Sequence, residues 1–478
     1  FAFFHSFTFC VSLFQDGTVK KLEKTHINRW VFLLHITCVL PTTENCANFK
    51  RKKLIMARTL FSFLGFIFFA LSLHAQSTVV PETLGFSSDR LERIDQYMER
   101  LIEQKAISGS VALIARRGEL VYHKSFGKLD REAGRDMHND AIFRLASMTK
   151  PITSVAVMML YEEGKIRLDD PVSQYLPMFE SMQMLDQPGI MKSIHRSEAP
   201  ITIRQLLNHT SGLVYHWNGR LGEAYNVEGI PMGLVDVDMT LEQSIALLAG
   251  LPLAFKPGTQ WNYGMNTDVL ALLVEEVSGY RFDRFVRERI IEPLGMKDTF
   301  FYLPDNYLDR LAVVYDRRDG QPIVRVPEGI QQYEQNIYSV DYPYGEYRRY
   351  FSGGAGLSSS THDYFKFLQM LLNGGIYEGK RLLSPSTVDM MTRNQIGQIA
   401  YPDAGYMFGL GFRIHTDPSE SGDVWPAGVY DWGGFFNTRF WVDPENEMIG
   451  IIMNQLYPEG KLGLHQVFRN LTYQALVE

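Results

Sequence analysis

A serine and a lysine three residues apart, Ser147 and Lys150, stand in the stretch Phe143-Arg144-Leu145-Ala146-Ser147-Met148-Thr149-Lys150-Pro151. On a helix, residues i and i+3 share a face with Cβ atoms roughly 5–6 Å apart, and the lysine stem is long enough to bring its amine to the serine hydroxyl. Such a pair is a nucleophile beside a possible base. The spacing alone is weak evidence, because Ser125-Phe126-Gly127-Lys128 repeats it at a strand end where nothing buries or aligns the two groups. Two other stretches add to it. Pro257-Gly258-Thr259-Gln260-Trp261-Asn262-Tyr263 puts a tyrosine on a turn just before a helix, and a second proton-carrying group there can relay the serine proton to a leaving group. Asp431-Trp432-Gly433-Gly434-Phe435-Phe436 sets two glycines inside an aromatic strand. Glycine in a strand marks a bulge or a close approach by a ligand, and such a strand can offer an N–H to a developing oxyanion.

Other chemistries find less support. Ser352-Gly353-Gly354-Ala355-Gly356-Leu357-Ser358-Ser359-Ser360 is glycine-rich but lacks the strand and Lys-Thr context of a phosphate-binding loop, and reads as a turn entering a helix near Thr361 and Asp363. His209, His216, His362 and His415 have no metal-ligand spacing, so neither a metal nor a cofactor is expected. The G-x-S-x-G elbow of α/β-hydrolases is absent.

The elements that must position these groups follow from periodicity. Ile152, Val155, Ala156, Met159 and Leu160 fit a helix buried on most sides, with Gly164 after its end. Pro151 disfavours helical geometry at Lys150, which places the pair in the first turn, where proline is tolerated. An amphipathic helix is predicted over 88–104 with Ser88 as N-cap, then strands 110–115 and 119–125 around a hairpin at Arg116-Arg117-Gly118. The middle of the chain reads as short helices and loops, including 239–248 and 267–277, and a tyrosine-rich stretch 318–350 has no period. Strands return at 408–415, 430–442 and 447–454, and a closing amphipathic helix carries Leu464, Val467, Phe468, Leu471 and Ala475. Strands at both ends with helices between predict one sheet completed by the chain's return. The expected division is an α/β domain of residues 78–140 and 346–478, with a mainly helical domain, 141–345, that carries Ser147, Lys150 and Tyr263.

The chain's 47 Lys+Arg and 54 Asp+Glu give a net charge of −7. Residues 1–75 hold nine of the basic and three of the acidic side chains, so the remainder is at −13. An acidic surface repels nucleic acid, and no basic-aromatic stripe argues for it. Cys10, Cys38 and Cys46 all precede residue 56, which leaves the rest without disulfides or thiolate chemistry. Met56-Ala57-Arg58, an apolar run from Leu60 to Leu73 and His74-Ala75-Gln76 form a secretory signal over 56–75. The run is short for a span of ~20 residues, so no stable membrane anchor is expected after cleavage. Residues 1–55 read as upstream sequence, and the protein as exported to a bacterial periplasm or beyond. Oligomeric state is left open.

In combination, Ser147–Lys150, Leu206–Leu213, Pro257–Tyr263, Ser352–Ser359 and Trp432–Gly434 resemble, in order, the motifs of the serine β-lactamase and penicillin-binding-protein superfamily. The likeness is to its class C-like branch, and above all to the family-eight carboxylesterases. The resemblance implies an α+β, β-lactamase/transpeptidase-like fold: an antiparallel sheet flanked by helices, plus a mostly helical lobe. It also implies Ser147 as acylated nucleophile, Lys150 as base kept neutral by burial and nearby positive potential, Tyr263 as proton relay, and the backbone N–H groups of Ser147 and Phe435 as oxyanion hole. Two departures bear on substrate. Class C β-lactamases carry Tyr-x-Asn where this chain has Tyr263-Gly264-Met265, with Asn266 one position late. Their Lys-Thr-Gly is Trp432-Gly433-Gly434 here, which removes a cation that attracts substrate carboxylates. Both favour a small neutral ester, held by Trp432, Gly433, Gly434, Tyr215, Trp217, Met265 and the tyrosine-rich loop. The alternatives are hydrolysis of β-lactams, D-amino-acid peptides or amides at the same site, or a non-catalytic cell-envelope binding protein.

Overall fold

The hairpin that turns at Arg116-Arg117-Gly118 supplies an interior strand of the main sheet. The computed structural model describes residues 78–186, 191, 193–318 and 321–478, all within one compact unit, Gln76–Glu478. The expected upstream segment and signal, 1–55 and 56–75, lie outside the described residues. Strand β1, Gly109–Arg116, is buried along its whole length, and β2 runs Glu119–Asp130. The sheet is completed by β3 (Arg135–Asp136), β4 (Tyr406–Phe408), β5 (Arg413–His415), β6 (Tyr430–Gly434), β7 (Thr438–Asp443) and β8 (Met448–Met453). Its order is β4-β5-β6-β7-β8-β1-β2-β3, antiparallel throughout. The register runs from Val111 opposite Met453 to Arg116 opposite Met448, so the chain's return closes the centre of the sheet.

Side-chain alternation along the central strands builds two cores. Ala112, Ile114, Trp441, Met448 and Ile452 pack against α1 (Ser88–Glu103) and the closing helix α7 (Leu464–Ala475). Val111, Leu113, Phe440, Val442, Ile449 and Ile451 face the opposite way. There they join α2 (Thr149–Glu162), α5 (Asn266–Ser278) and α6 (Thr361–Leu372) in the larger core. Between α2 and α5 lie α3 (Ile203–Leu207) and α4 (Leu241–Ala249), each opened by a Thr/Gln capping box, Thr202 with Gln205 and Thr240 with Gln243. Among the described residues no helix is long and apolar enough to cross a membrane.

Four local readings are corrected. The N-cap of α1 is Ser87, whose hydroxyl accepts from the Arg90 N–H, because Ser87 is still extended and Ser88 already helical. Residues 408–415 form the β4–β5 hairpin, which turns at Gly411 with φ +97°. Residues 430–442 likewise split into β6 and β7. Asn437 adopts φ +66° and donates its N–H to Gly434 O at 3.0 Å, a left-handed turn that asparagine tolerates. Gly433 and Gly434 are thus the last two residues of β6, paired with Arg439 and Thr438 beside the turn. Lastly, β2 continues past Lys128, whose amine pairs with Asp136 at the surface, far from any burial that could activate Ser125.

Candidate active site

Ser147 lies on a single 3₁₀ turn, Ala146–Met148, that leads straight into α2. Ala146 is fully buried at φ +45°, a backbone region that costs a non-glycine residue of order 1–2 kcal/mol. Residues held this way cluster at functional sites. Thr149, Lys150 and Pro151 form the first turn of α2, and every residue from Thr149 to Leu160 is buried. Proline at the third helical position loses no hydrogen bond, because the first N–H groups of a helix have no internal partner.

The Lys150 amine lies 3.2 Å from Ser147 Oγ, 2.8 Å from Gly354 O and 2.9 Å from Tyr215 Oη. Burial pushes its pKa down to about 7, while the buried Asp268 carboxylate pulls the other way. Desolvation is the largest cause, and the neighbouring side-chain charge that acts on the amine is negative, not the positive one expected from the sequence. Asp268 is fully buried at the start of α5, with Oδ1 accepting from Ser352 Oγ at 2.6 Å. Its own carboxyl is raised by burial. Gly354 reaches the lysine because it has no side chain: an added Cβ would sit 2.5 Å from Asp268 Oδ2 and 3.2 Å from Tyr215 Oη.

The Tyr263 ring packs 4.7 Å from the lysine amine. Its hydroxyl is directed at Ser147 and Trp432, yet it makes no hydrogen bond of ordinary geometry and is shielded from bulk water. The Trp432 indole N–H is unpartnered in the same way. His209, at φ +59°, holds the tyrosine from behind, with ring centroids 5.0 Å apart. Burial keeps its imidazole neutral, and Nδ1 accepts from the Asn266 amide at 2.8 Å. Asn266 also bonds Ser211 Oγ, so the amide one position late belongs to the interior.

A cleft of about 600 Å³ opens in front of Ser147. Trp217, Tyr263, Tyr401, Trp432 and Phe435 line it with aromatic rings, and Asn437, Arg439 and Glu459 line it with polar groups. Gly434 carries the β6–β7 turn up to the nucleophile, since an added Cβ would overlap Leu145 O and Thr438 Oγ1. The turn therefore brings Phe435 to the same cleft as Ser147.

The structure thus gathers Ser147, Lys150, Tyr263, Trp217, Trp432, Gly433, Gly434 and Phe435 at one cleft. Tyr215 is not on its wall. It is buried beneath, holding the lysine and stacked on Trp217 at 4.6 Å. Met265 does not reach the cleft either; it is fully buried in the larger core. The tyrosine-rich stretch also stays behind the wall, where Tyr338 packs against Phe435 at 5.4 Å and Tyr457 at 5.4 Å. Sequence reasoning missed Gly354, Asp268 and His209 as site groups. The signal for Asp268 was an acid inside the apolar first turn of α5, next to the tyrosine loop.

The layered arrangement is a β-lactamase/transpeptidase-like fold. The chain belongs to the Beta-lactamase family, whose profile matches residues 94–471, and its relatives place it in the esterase branch. It is 33% identical to esterase EstB of Burkholderia gladioli over 78% of this chain and 92% of that one. It is 30% identical to the acyltransferase calJ of Penicillium decumbens over 68% and 78%. Among solved structures, EstCE1, described as a hydrolase with promiscuous acyltransferase activity, superposes with a TM-score of 0.69 at 27% identity, covering 80% of this chain and 99% of that one.

Proposed function

We propose that the protein is a serine hydrolase that cleaves carboxylic esters through an acyl-enzyme on Ser147. The observation that carries this reading is the environment of Lys150. A neutral amine has two N–H groups and one lone pair. Gly354 O and Tyr215 Oη are the two closest polar atoms, at 2.8 and 2.9 Å, and accept both N–H groups. The lone pair is left for the Ser147 hydroxyl. In the first step that O–H proton passes to Lys150 as Oγ bonds to the ester carbonyl, and the oxyanion accepts from the Ser147 and Phe435 N–H groups. Collapse of the intermediate breaks the C–O bond, and Tyr263 gives the departing alkoxide a proton. Water then attacks the acyl-enzyme by the reverse route and frees the acid.

Esters are favoured over β-lactams and peptides because the tryptophan at position 432 offers no charge to a substrate carboxylate, and because EstB, a relative along most of the chain, is an esterase. The test is hydrolysis of a short p-nitrophenyl ester by wild type, Ser147→Ala, Lys150→Ala and Tyr263→Phe. We expect losses of about 10³-fold or more for the first two, and undiminished turnover in Ser147→Ala would end the proposal. Acyl transfer to an alcohol is the second reading, favoured by the acyltransferases among the relatives. It predicts transesterification products when an alcohol is added to the assay.

A further inference from the structure

One part of the cleft wall is polar in an unusual way. Asn437, on the cleft wall, is 5% exposed, and both polar atoms of its buried carboxamide lack a hydrogen-bond partner of ordinary geometry, although the Glu459 carboxylate is directed at it. The turn holds it there through its N–H to Gly434 O and a His465 Nε2 hydrogen bond to its carbonyl at 3.3 Å. Thr438 Oγ1, also on the cleft wall, is buried and unpartnered too. Arg439 commits one nitrogen, Nη2, to Asp431. Its Nη1 lies over Gly433, where an added Cβ would come within 3.1 Å of it, and the absence of that side chain leaves the guanidinium edge open to the cleft.

Charges of both signs meet here. Arg413 and Arg439 share Asp431, Arg413 also binds Asp403 at 3.0 Å, and Glu459 faces Arg439 without an ion pair. A carboxylate ligand would meet Asp403 and Glu459, and an ammonium would meet the two arginines. Like charges brought together in an interface cost several kcal/mol. A hydroxyl both donates and accepts, so a row of hydroxyls fits the mixture: acceptors for Arg439 and the Asn437 NH₂, donors for Glu459 and the Asn437 carbonyl. Trp217, Tyr401 and Trp432 supply flat apolar faces beside it.

We propose that the part of the cleft wall formed by Asn437, Arg439 and Glu459 is a subsite for a polyhydroxylated group, so that the ester substrates are O-acylated polyols of the sugar class. This rests on the esterase reading above. The test compares kcat/KM for three unactivated esters: methyl 6-O-acetyl-glucopyranoside, ethyl acetate and the anionic ethyl hydrogen succinate. The sugar acetate should exceed ethyl acetate by about tenfold or more, the worth of one or two hydrogen bonds. Asn437→Gly keeps the left-handed backbone and removes only the carboxamide; Glu459→Gln keeps shape and removes charge. Each should cut the sugar-to-ethyl ratio by about fivefold, mainly through KM. Equal rates on sugar and ethyl acetates, or a ratio unmoved in both variants, overturns the subsite. A preference for the succinate overturns it in favour of an anion site. Failure of wild type to turn over p-nitrophenyl acetate, with no fluorophosphonate labelling of Ser147, removes the esterase reading itself.

Discussion

At Lys150 the proposed chemistry becomes a pH dependence with a definite sign. The base must be neutral, and with a pKa near 7 it is protonated below that pH. The acid limb of kcat/KM should therefore centre close to pH 7, rising to a plateau on the alkaline side. Asp268 favours the ammonium form, so Asp268→Asn should move the limb to lower pH. An unmoved limb in this isosteric variant would show that the buried carboxylate does not act on the lysine. Tyr215→Phe tests the partition of the amine's N–H groups. With that acceptor gone, one N–H competes for Ser147 Oγ, and kcat should fall by about tenfold or more, with a smaller change in KM. A profile and rate like wild type would remove Tyr215 from the argument. Ser147, Lys150 and Tyr263 are legible in the sequence because each lies in a short local motif. The roles of Tyr215, Gly354 and Asp268 around the lysine are not, since they lie 65, 204 and 118 residues away from it and no local pattern records such a meeting.

At the scale of elements, the β6–β7 hairpin is the piece whose placement matters most. Read from composition, its two glycines suggest a bulge within one strand. In the fold, Gly434 ends β6 because the turn must pass directly over Leu145 O. Periodicity recovers the long helices, since an apolar stripe repeats over several turns. It merges hairpins such as β4–β5 and β6–β7, because aromatic residues continue through the tight turns and only the left-handed residues Gly411 and Asn437 mark the breaks. Gly434→Ala forces either the turn or the nucleophile loop to give way. Overpacking of this kind costs about 1–3 kcal/mol, so a drop of several degrees in Tm is expected. The Phe435 N–H would shift as well, and kcat should fall by about 10²-fold, the loss seen when one oxyanion donor is removed. A Tm and kcat within error of wild type would mean that the hairpin does not abut the nucleophile. At Gly450 the Trp441 ring, part of the second core, fills the space an added side chain would need. Gly450→Ala should lower Tm in the same range and leave the pH profile in place, which separates strain from chemistry.

For the whole molecule, the order in which the sheet is assembled sets a condition on folding. All the groups assigned to chemistry, from Ser147 to Phe435, precede β8, yet β8 fills the place between β7 and β1. Its six residues, Met448 to Met453, are all buried. Burying a large aliphatic side chain fully contributes about 1.5–3 kcal/mol, and Met448, Ile449, Ile451, Ile452 and Met453 are of that size. Leu464 and Phe468 of α7 add to the second core. Against a net stability of about 5–15 kcal/mol for an ordinary domain, that strand and helix cannot be spared. Without them β1 and β7 would also present unpaired edges, which recruit other chains. A variant ending at Asp443 keeps every proposed catalytic residue, and it should nonetheless collect in the insoluble fraction and fail to react with a fluorophosphonate. Adding back residues 444–478 as a separate chain during refolding should restore some labelling, because the β1–β8 register from Val111–Met453 to Arg116–Met448 does not require a covalent link between β7 and β8. Soluble, labelled protein from the truncated chain alone would show that the larger core on α2 and α5 forms the site without the closed sheet.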